Sequence, residues 1–270
     1  MVRREVRVPA PVRVSALGWR SVSASRRKIA RRCGVTAIPA ARLSGENQLS
    51  TDPRASVLSG MIIPEDTDVL AVIDVQNCFV PGGTLPVPDG DTIIPIINRL
   101  APAFRHVVIT QDWHTRGHVS FASSHPGKKP FETVALSYGT QVLWPDHGIQ
   151  GTPDAELHKD LEIPHAALII RKGYRQHVDS YSAFLEADRK TTTGLAGYLK
   201  ERGLTRVFFV GLATDFCVAW SALDARKAGF EAIVIEDATR GIDADGSLAK
   251  AWADMSSAGV KRIQSTDLRV

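Results

Sequence analysis

Three side chains in this sequence have the makings of acyl-transfer chemistry: the carboxylate of Asp74, the amine of Lys172 and the thiol of Cys217. A thiolate can attack a carbonyl carbon. A carboxylate can take the thiol proton, pass it to a leaving nitrogen and later activate water against the thioester, and a lysine can steady both negative charges. Cys217 lies near the end of Arg206–Val218, RVFFVGLATDFCV, which reads as a buried strand, a glycine turn and a helix that opens around the cysteine. A thiol placed there sits over free backbone N–H groups and the positive end of a helix dipole. Both favour a thiolate, and the same N–H groups can hold an oxyanion. Taken alone, Cys217 reads as well as a buried structural cysteine, and Lys172 as a solvated surface lysine.

A second set is suited to a cation. Asp112, His114 and His118 form D-x-H-x3-H, and His147 follows in W-P-D-H. Together they offer nitrogen and oxygen ligands for one divalent ion, zinc first, with iron and manganese as alternatives. His118 has two other readings, contact through water or the capping of a turn. Phe79, Trp113 and Trp144 stand close in sequence to these groups and suit the walls of a slot for a flat ring. For Trp113, ordinary core packing is the competing reading.

Hydrophobic patterning says how these residues are held. Apolar, β-branched runs predict strands at Asp68–Asp74, His106–Gln111, Ala166–Lys172, Val207–Val210, Glu231–Asp237 and Val260–Gln264. Helical spacing predicts helices over Asp91–Phe104 with Asp91 as N-cap, Thr191–Arg202 closed by Gly203, a segment from Cys217 to Gly229 with Thr214 and Asp215 as caps, and Gly246–Ala258. Residues 115–165, rich in Gly, Pro and His, read as a long irregular functional loop. Strands alternating with helices call for an α/β fold, a mostly parallel sheet covered by helices on both faces. Ligands bind such sheets at the carboxyl ends of the strands. Asp74, Asp112, His114, Lys172 and Cys217 all fall at those ends.

Composition separates the chain into two parts. Residues 1–60 hold 11 Arg and one Lys against three acids, a net of +9, whereas the whole chain is +4, leaving −5 for residues 61–270. The basicity belongs to the extension, so the body gives no sign of a nucleic-acid surface. Three explanations fit residues 1–60: upstream sequence from an early start, an organellar transit peptide, or a disordered basic tail. Met61 opens a segment that reads as the start of an α/β domain running over 61–270. No apolar run approaches the roughly 18 residues of a membrane span. Three cysteines imply no disulfide framework and a reducing compartment. The expected location is cytoplasmic, or organellar if residues 1–60 are a transit peptide. Self-association is left open.

At these residues the sequence resembles the nicotinamidases of the isochorismatase-like cysteine hydrolase superfamily. The motifs are DVQNCFVPGGTL from Asp74, QDWH with His118 four residues on, WPDH from Trp144, RKG around Lys172 and GLATDFCV from Gly211. They occur in the family's order across residues 67–268. The resemblance implies a three-layer α/β/α fold with a six-stranded, mainly parallel sheet, and hydrolysis of nicotinamide to nicotinate and ammonia, often with pyrazinamide also accepted. It makes Asp74, Lys172 and Cys217 the catalytic triad, Asp112, His114 and His147 the metal ligands, and His118 a fourth ligand present in some members. Phe79 and Trp144 match the residues that sandwich the pyridine ring, and Tyr181 belongs to the same pocket. The amides of Ala213 and Cys217 would form the oxyanion hole beside a cis Leu212–Ala213 bond. Two departures are Cys78, where the family usually has an acid, and Gly148, where cysteine is common.

The main competing enzyme is another amidohydrolase or an ether hydrolase of the same superfamily, which shares the triad but generally lacks the metal set. A non-catalytic binding protein on this fold would be expected to lose the nucleophile or the base. Both stand in place here.

Overall fold

Runs of Val, Ile, Leu and Phe make strands that can be buried on both faces, as a parallel sheet between helices requires. Such a run forms β1 (Asp68–Ile73), buried at every position, and another forms β6 (Arg206–Leu212), which pairs beside it in parallel. The computed structural model describes residues 61–270, so the expectations for residues 1–60 lie outside the described residues. The remaining elements are α1 (Ile94–Leu100), β2 (His106–Asp112), β3 (Thr133–Leu136), β4 (Gly139–Val142), β5 (Leu168–Lys172), α2 (Leu195–Glu201), α3 (Ala219–Lys227), β7 (Glu231–Arg240), α4 (Ser247–Ser257) and β8 (Lys261–Ile263).

Six strands form one sheet in the order β5-β2-β1-β6-β7-β8, and every pairing in it is parallel. Alternate residues serve two cores. Leu70, Val72, Phe208 and Val210 pack with Ile94, Ile97 and Leu100 of α1. Val69, Ala71, Val207 and Phe209 pack with Leu195 and Leu199 of α2, Ala222 of α3 and Met255 of α4. This is the expected three-layer α/β/α architecture. Over the described residues the chain enters the sheet in its middle at β1, builds outward through β2 and β5, then crosses back to β6. The switch in strand order therefore lies between β1 and β6, where a ligand crevice forms.

Several local expectations are corrected. Asp91 lies inside a short 3-10 turn, Gly90–Ile93, and caps nothing; the α-helix begins at Ile94. Helix α2 starts four residues later than expected, because Thr191–Thr193 instead meet Phe184–Glu186. Glu186 N–H donates to Thr191 O and Thr193 N–H to Phe184 O. Extended pairing suits β-branched threonine better than a helix does. The stretch expected to be irregular contains the antiparallel hairpin β3–β4, whose end delivers Trp144 to the site.

Candidate active site

Strands β1, β2, β5 and β6 end side by side, and each delivers one reactive group. Asp74 follows β1 with φ +48°, a left-handed conformation that is strained for a non-glycine residue. Asp112 and Lys172 are the last residues of β2 and β5, paired across the sheet. Cys217 follows β6 in a π-helical turn, Thr214–Val218, that leads into α3. Such turns recur at functional sites. Neither Thr214 nor Asp215 caps the turn. Asp215 instead accepts the N–H groups of Ile242 (3.0 Å) and Asp243 (2.8 Å) and the Ser247 hydroxyl (2.5 Å), fixing the segment that brings Ile242 to the cleft.

Gly211 lets β6 come this close to β1. Its φ is +113°, and a Cβ there would lie 2.0 Å from the Ile73 carbonyl oxygen. The Leu212–Ala213 peptide is cis, as the resemblance implied. The N–H groups of Phe216 and Val218 both donate to the Ala213 carbonyl at 3.1 Å, which ties the turn around Cys217.

Lys172 is the centre of the cluster. Its side chain is wholly buried, and Nζ lies 2.5 Å from Asp112 Oδ1, 2.9 Å from Asp74 Oδ2, 2.9 Å from Ser180 O and 3.4 Å from Cys217 Sγ. The contact with Asp74 is an ion pair out of hydrogen-bond alignment, so Asp74 Oδ2 has no hydrogen-bond donor of its own. The other Asp74 oxygen, Oδ1, accepts the Thr110 hydroxyl at 2.6 Å, and that hydroxyl accepts the Asp74 N–H at 3.1 Å.

The electrostatics follow from burial. Burial opposes the ammonium charge of Lys172, but Asp112 and Asp74 outweigh it and hold the amine well above its usual range. Burial pushes Asp74 above the ordinary carboxylate range, with Lys172 opposing and Asp112 adding to the push. Burial also works against ionisation of Asp112, yet Lys172 and His114 prevail and hold it far below the usual range. Cys217 corrects the expected thiolate. Burial, aided by Asp74 and Asp112, outweighs the pull of Lys172 and pushes the thiol well above its usual value. Cys217 thus rests as a thiol, and to act as a nucleophile it would need a base.

Asp112 has a second partner on its other oxygen. Oδ2 lies 3.6 Å from His114 Nε2 and 3.8 Å from His147 Nε2. Both rings are fixed through their Nδ1 atoms, His114 to Gly173 O (2.9 Å) and His147 to Pro145 O (2.7 Å). A donated Nδ1–H leaves each Nε2 lone pair free for a ligand. Donors that share one ion at bonds of about 2.0–2.2 Å sit roughly 3.0–3.5 Å apart, so a small inward movement suffices and the three residues fit a divalent metal. Burial and His114 push His147 down to about 4, which keeps it neutral, as a ligand must be; Asp112 overcomes burial to pull His114 up. His118 fits less well. Its Nδ1 accepts the Ser120 N–H at 3.3 Å and faces the Ser120 hydroxyl at 2.7 Å. Its Nε2 faces the carbonyls of Arg175 and Val178 at 3.0 and 3.2 Å. Both ring nitrogens are engaged.

Between the thiol and the histidines lies a cavity with about 350 Å³ of space between atoms, walled by Phe79, Trp144, Tyr181, Phe216, Ile242 and Leu85. Trp144 donates its indole N–H to the Tyr181 hydroxyl at 2.9 Å and meets Phe216 edge-on at 4.9 Å. Trp113 is not among the lining residues; Arg171 stacks on its ring at 3.8 Å. Sequence reasoning missed four polar residues. Thr110 holds Asp74, and Gln76 clamps Asp112 by donating to its carbonyl (2.9 Å) and accepting its N–H (2.7 Å). Asp179 lines the cavity, and Gln141 donates to it at 2.7 Å. Thr110 was within reach of strand periodicity, which puts it on the same side of β2 as Asp112. The other three are polar residues in segments without regular period.

An acid, a lysine and a buried thiol at the switch point of this sheet define a cysteine hydrolase of the isochorismatase type. Residues 68–267 match the isochorismatase domain, and the chain belongs to that family. Its relatives narrow the comparison. A nicotinamidase of Acinetobacter baylyi is 60% identical over 201 residues, covering 74% of this chain and 94% of its own length. The nicotinate complex of PnC1 from L. infantum is 38% identical with a TM-score of 0.68, covering 77% of this chain and 98% of that one. The zinc complex of the Pyrococcus horikoshii pyrazinamidase is 36% identical with a TM-score of 0.60, covering 73% and 99%.

Proposed function

We propose that the chain is a nicotinamidase, an amidohydrolase that converts nicotinamide and water to nicotinate and ammonia through a thioester on Cys217. The observation that carries this is the position of Lys172 Nζ, within 3.4 Å of Cys217 Sγ and 2.9 Å of Asp74 Oδ2, with Cys217 lining an aromatic cavity that a histidine pair lines as well. A hydrolase needs the first arrangement, and a pyridine carboxamide suits the second. The 60% identity to a nicotinamidase supports the same substrate.

Phe79 and Trp144 receive the ring between them, with Tyr181 at its edge. A divalent ion on Asp112, His114 and His147, zinc by preference, would take the pyridine nitrogen and so orient the carboxamide toward Cys217. Asp74 Oδ2 accepts the thiol proton as sulfur bonds to the amide carbon. Lys172 stabilises the negative charge on both. The amides of Ala213 and Cys217 receive the carbonyl oxygen as it becomes an oxyanion. Asp74 then gives the proton to the departing nitrogen, the C–N bond breaks and ammonia leaves. In the second half Asp74 takes a proton from water, the hydroxide adds to the thioester carbon, and the C–S bond breaks. Sulfur recovers the proton and the acid is released.

The test is ammonia release from nicotinamide by the full chain, before and after chelation and after zinc is returned. Turnover lost to chelator and restored by zinc is expected. Turnover that persists in demonstrably metal-free protein would leave the thiol chemistry but remove the ion, and hydrolysis only of other amides would change the substrate. Cys217→Ala at wild-type rate would refute the mechanism.

A further inference from the structure

Asp179 is buried, lines the cavity and has no Lys, Arg or His partner within 4 Å among the described residues. Other buried carboxylates answer their charge. Asp68 pairs with Arg206, Glu186 with Arg175 and Asp224 with Arg189, while Asp215 accepts three donors. Asp179 has two neutral donors, the Ser180 N–H on Oδ1 (2.8 Å) and Gln141 Nε2 on Oδ2 (2.7 Å). A carboxylate held ionised in a closed site without a counter-charge is costly. A carboxylate oxygen of Asp179 lies within 4.8 Å of a ring nitrogen of His114, which belongs to the metal set, and of one of His118, which does not.

The charges around the cavity can be counted. With Asp74 ionised as the base, three buried carboxylates, Asp74, Asp112 and Asp179, face one buried ammonium, Lys172. With His114 and His147 neutral, as metal ligands must be, the cluster then carries −2. Without Asp179 it would carry −1, and a divalent cation would leave a buried excess of +1.

We propose that Asp179 is a positioning residue for the metal, supplying the second uncompensated negative charge that makes this buried cluster neutral with a divalent cation bound. Asp179 acts on the ion through space and through His114, not as a ligand of the three-residue set. This rests on the metal reading above and goes beyond it, because Asp179 belongs to neither the triad nor the ligand set. Gln141, carried by the hairpin, and the Ser180 N–H aim the carboxylate. The hairpin is thereby joined to metal affinity as well as to the aromatic wall.

The experiment is zinc binding to the full chain, measured by competition with a chromophoric chelator, for wild type, Asp179→Asn and Asp179→Ser. Serine is smaller and keeps an acceptor for the Ser180 N–H, so it covers the case in which asparagine folds poorly. Both variants are expected to bind zinc at least tenfold more weakly, in the range that supporting residues around metal ligands command. Their metal-free forms are expected to melt no lower than metal-free wild type, since a repulsive charge has been removed. Zinc affinity equal to wild type in either folded variant would overturn the proposal and leave the metal reading standing. A loss of affinity accompanied by a lower melting temperature of both metal-free variants would also overturn it, because the role would then be structural. Wild-type protein that binds no zinc would overturn this proposal and the metal reading together.

Discussion

Lys172 Nζ lies 2.5 Å from Asp112 Oδ1, and this one contact joins the two halves of the site. On one side the same ammonium meets Asp74 and Cys217; on the other, Asp112 turns its second oxygen to His114 and His147. In the proposed mechanism, thiol chemistry and ring placement thus share a buried ion pair. Removing the lysine leaves two buried carboxylates facing each other. Lys172→Met is expected to destabilise the protein by about 3–5 kcal/mol, the usual cost of orphaning a buried charge, and to abolish turnover. Denaturant melts beside an ammonia assay check both, and a variant as stable as wild type would show that the pair carries little net charge.

In the proposed mechanism Thr110 decides which oxygen of Asp74 acts as the base. Its hydroxyl occupies Oδ1 and leaves Oδ2 for the thiol. Thr110→Val keeps the shape and removes the hydroxyl. It is expected to lower kcat by roughly ten- to a hundred-fold with KM within about threefold of wild type, because only proton transfer is affected. Thr110→Ser should recover most of the rate. A rise in KM without loss of kcat would place Thr110 in substrate binding instead.

Gly173 makes room for His114. Its φ is +65°, and a Cβ there would come within 2.5 Å of the ring, at Cε1. Its carbonyl also accepts the His114 Nδ1–H. Gly173→Ala is expected to cost about 1–3 kcal/mol of stability from the backbone alone, and to weaken metal binding as the ring is displaced. Metal content after dialysis, set against thermal melting, separates the two effects. Full metal occupancy in the variant would mean that His114 is not a ligand.

The buried thiol makes a prediction in the alkaline range. Because Cys217 is raised above its usual value, thiolate absorbance near 240 nm that is lost in Cys217→Ser should be missing at neutral pH and emerge only above the ordinary thiol value of 9.0. The sign for stability follows by linkage. The unfolded chain releases this proton first, so the contribution is complete below the unfolded value and is lost as pH rises past it. Wild type should lose stability relative to Cys217→Ser in that window. A thiolate signal at pH 7 would restore the thiolate expected from the helix dipole.

Much of this molecule was legible in the residues alone. Strand runs such as VLAVI and VFFV have one stable environment, a sheet covered on both faces, and their alternation with helices fixes a parallel order. That placed Asp74, Asp112, Lys172 and Cys217 at one edge, because each ends a strand, follows one directly or lies in the turn just after one. What the sequence could not reveal depends on distances between strands. The protonation of Cys217 is set first by its own burial, against the pull of Lys172 and with the help of Asp74 and Asp112. Both His118 nitrogens are taken by Ser120 and by carbonyls from residues 175 and 178, a loop far along the chain. Thr110, Gln76, Gln141 and Asp179 gain their roles from partners that lie, but for the Ser180 N–H on Asp179, more than thirty positions away, and no local pattern marks such a partner. The sequence determined which candidate reactive groups share the strand ends and which layer carries them. Tertiary packing decided their charge, their partners and which oxygen of each carboxylate faces the chemistry, because burial and hydrogen bonding belong to neighbours in space.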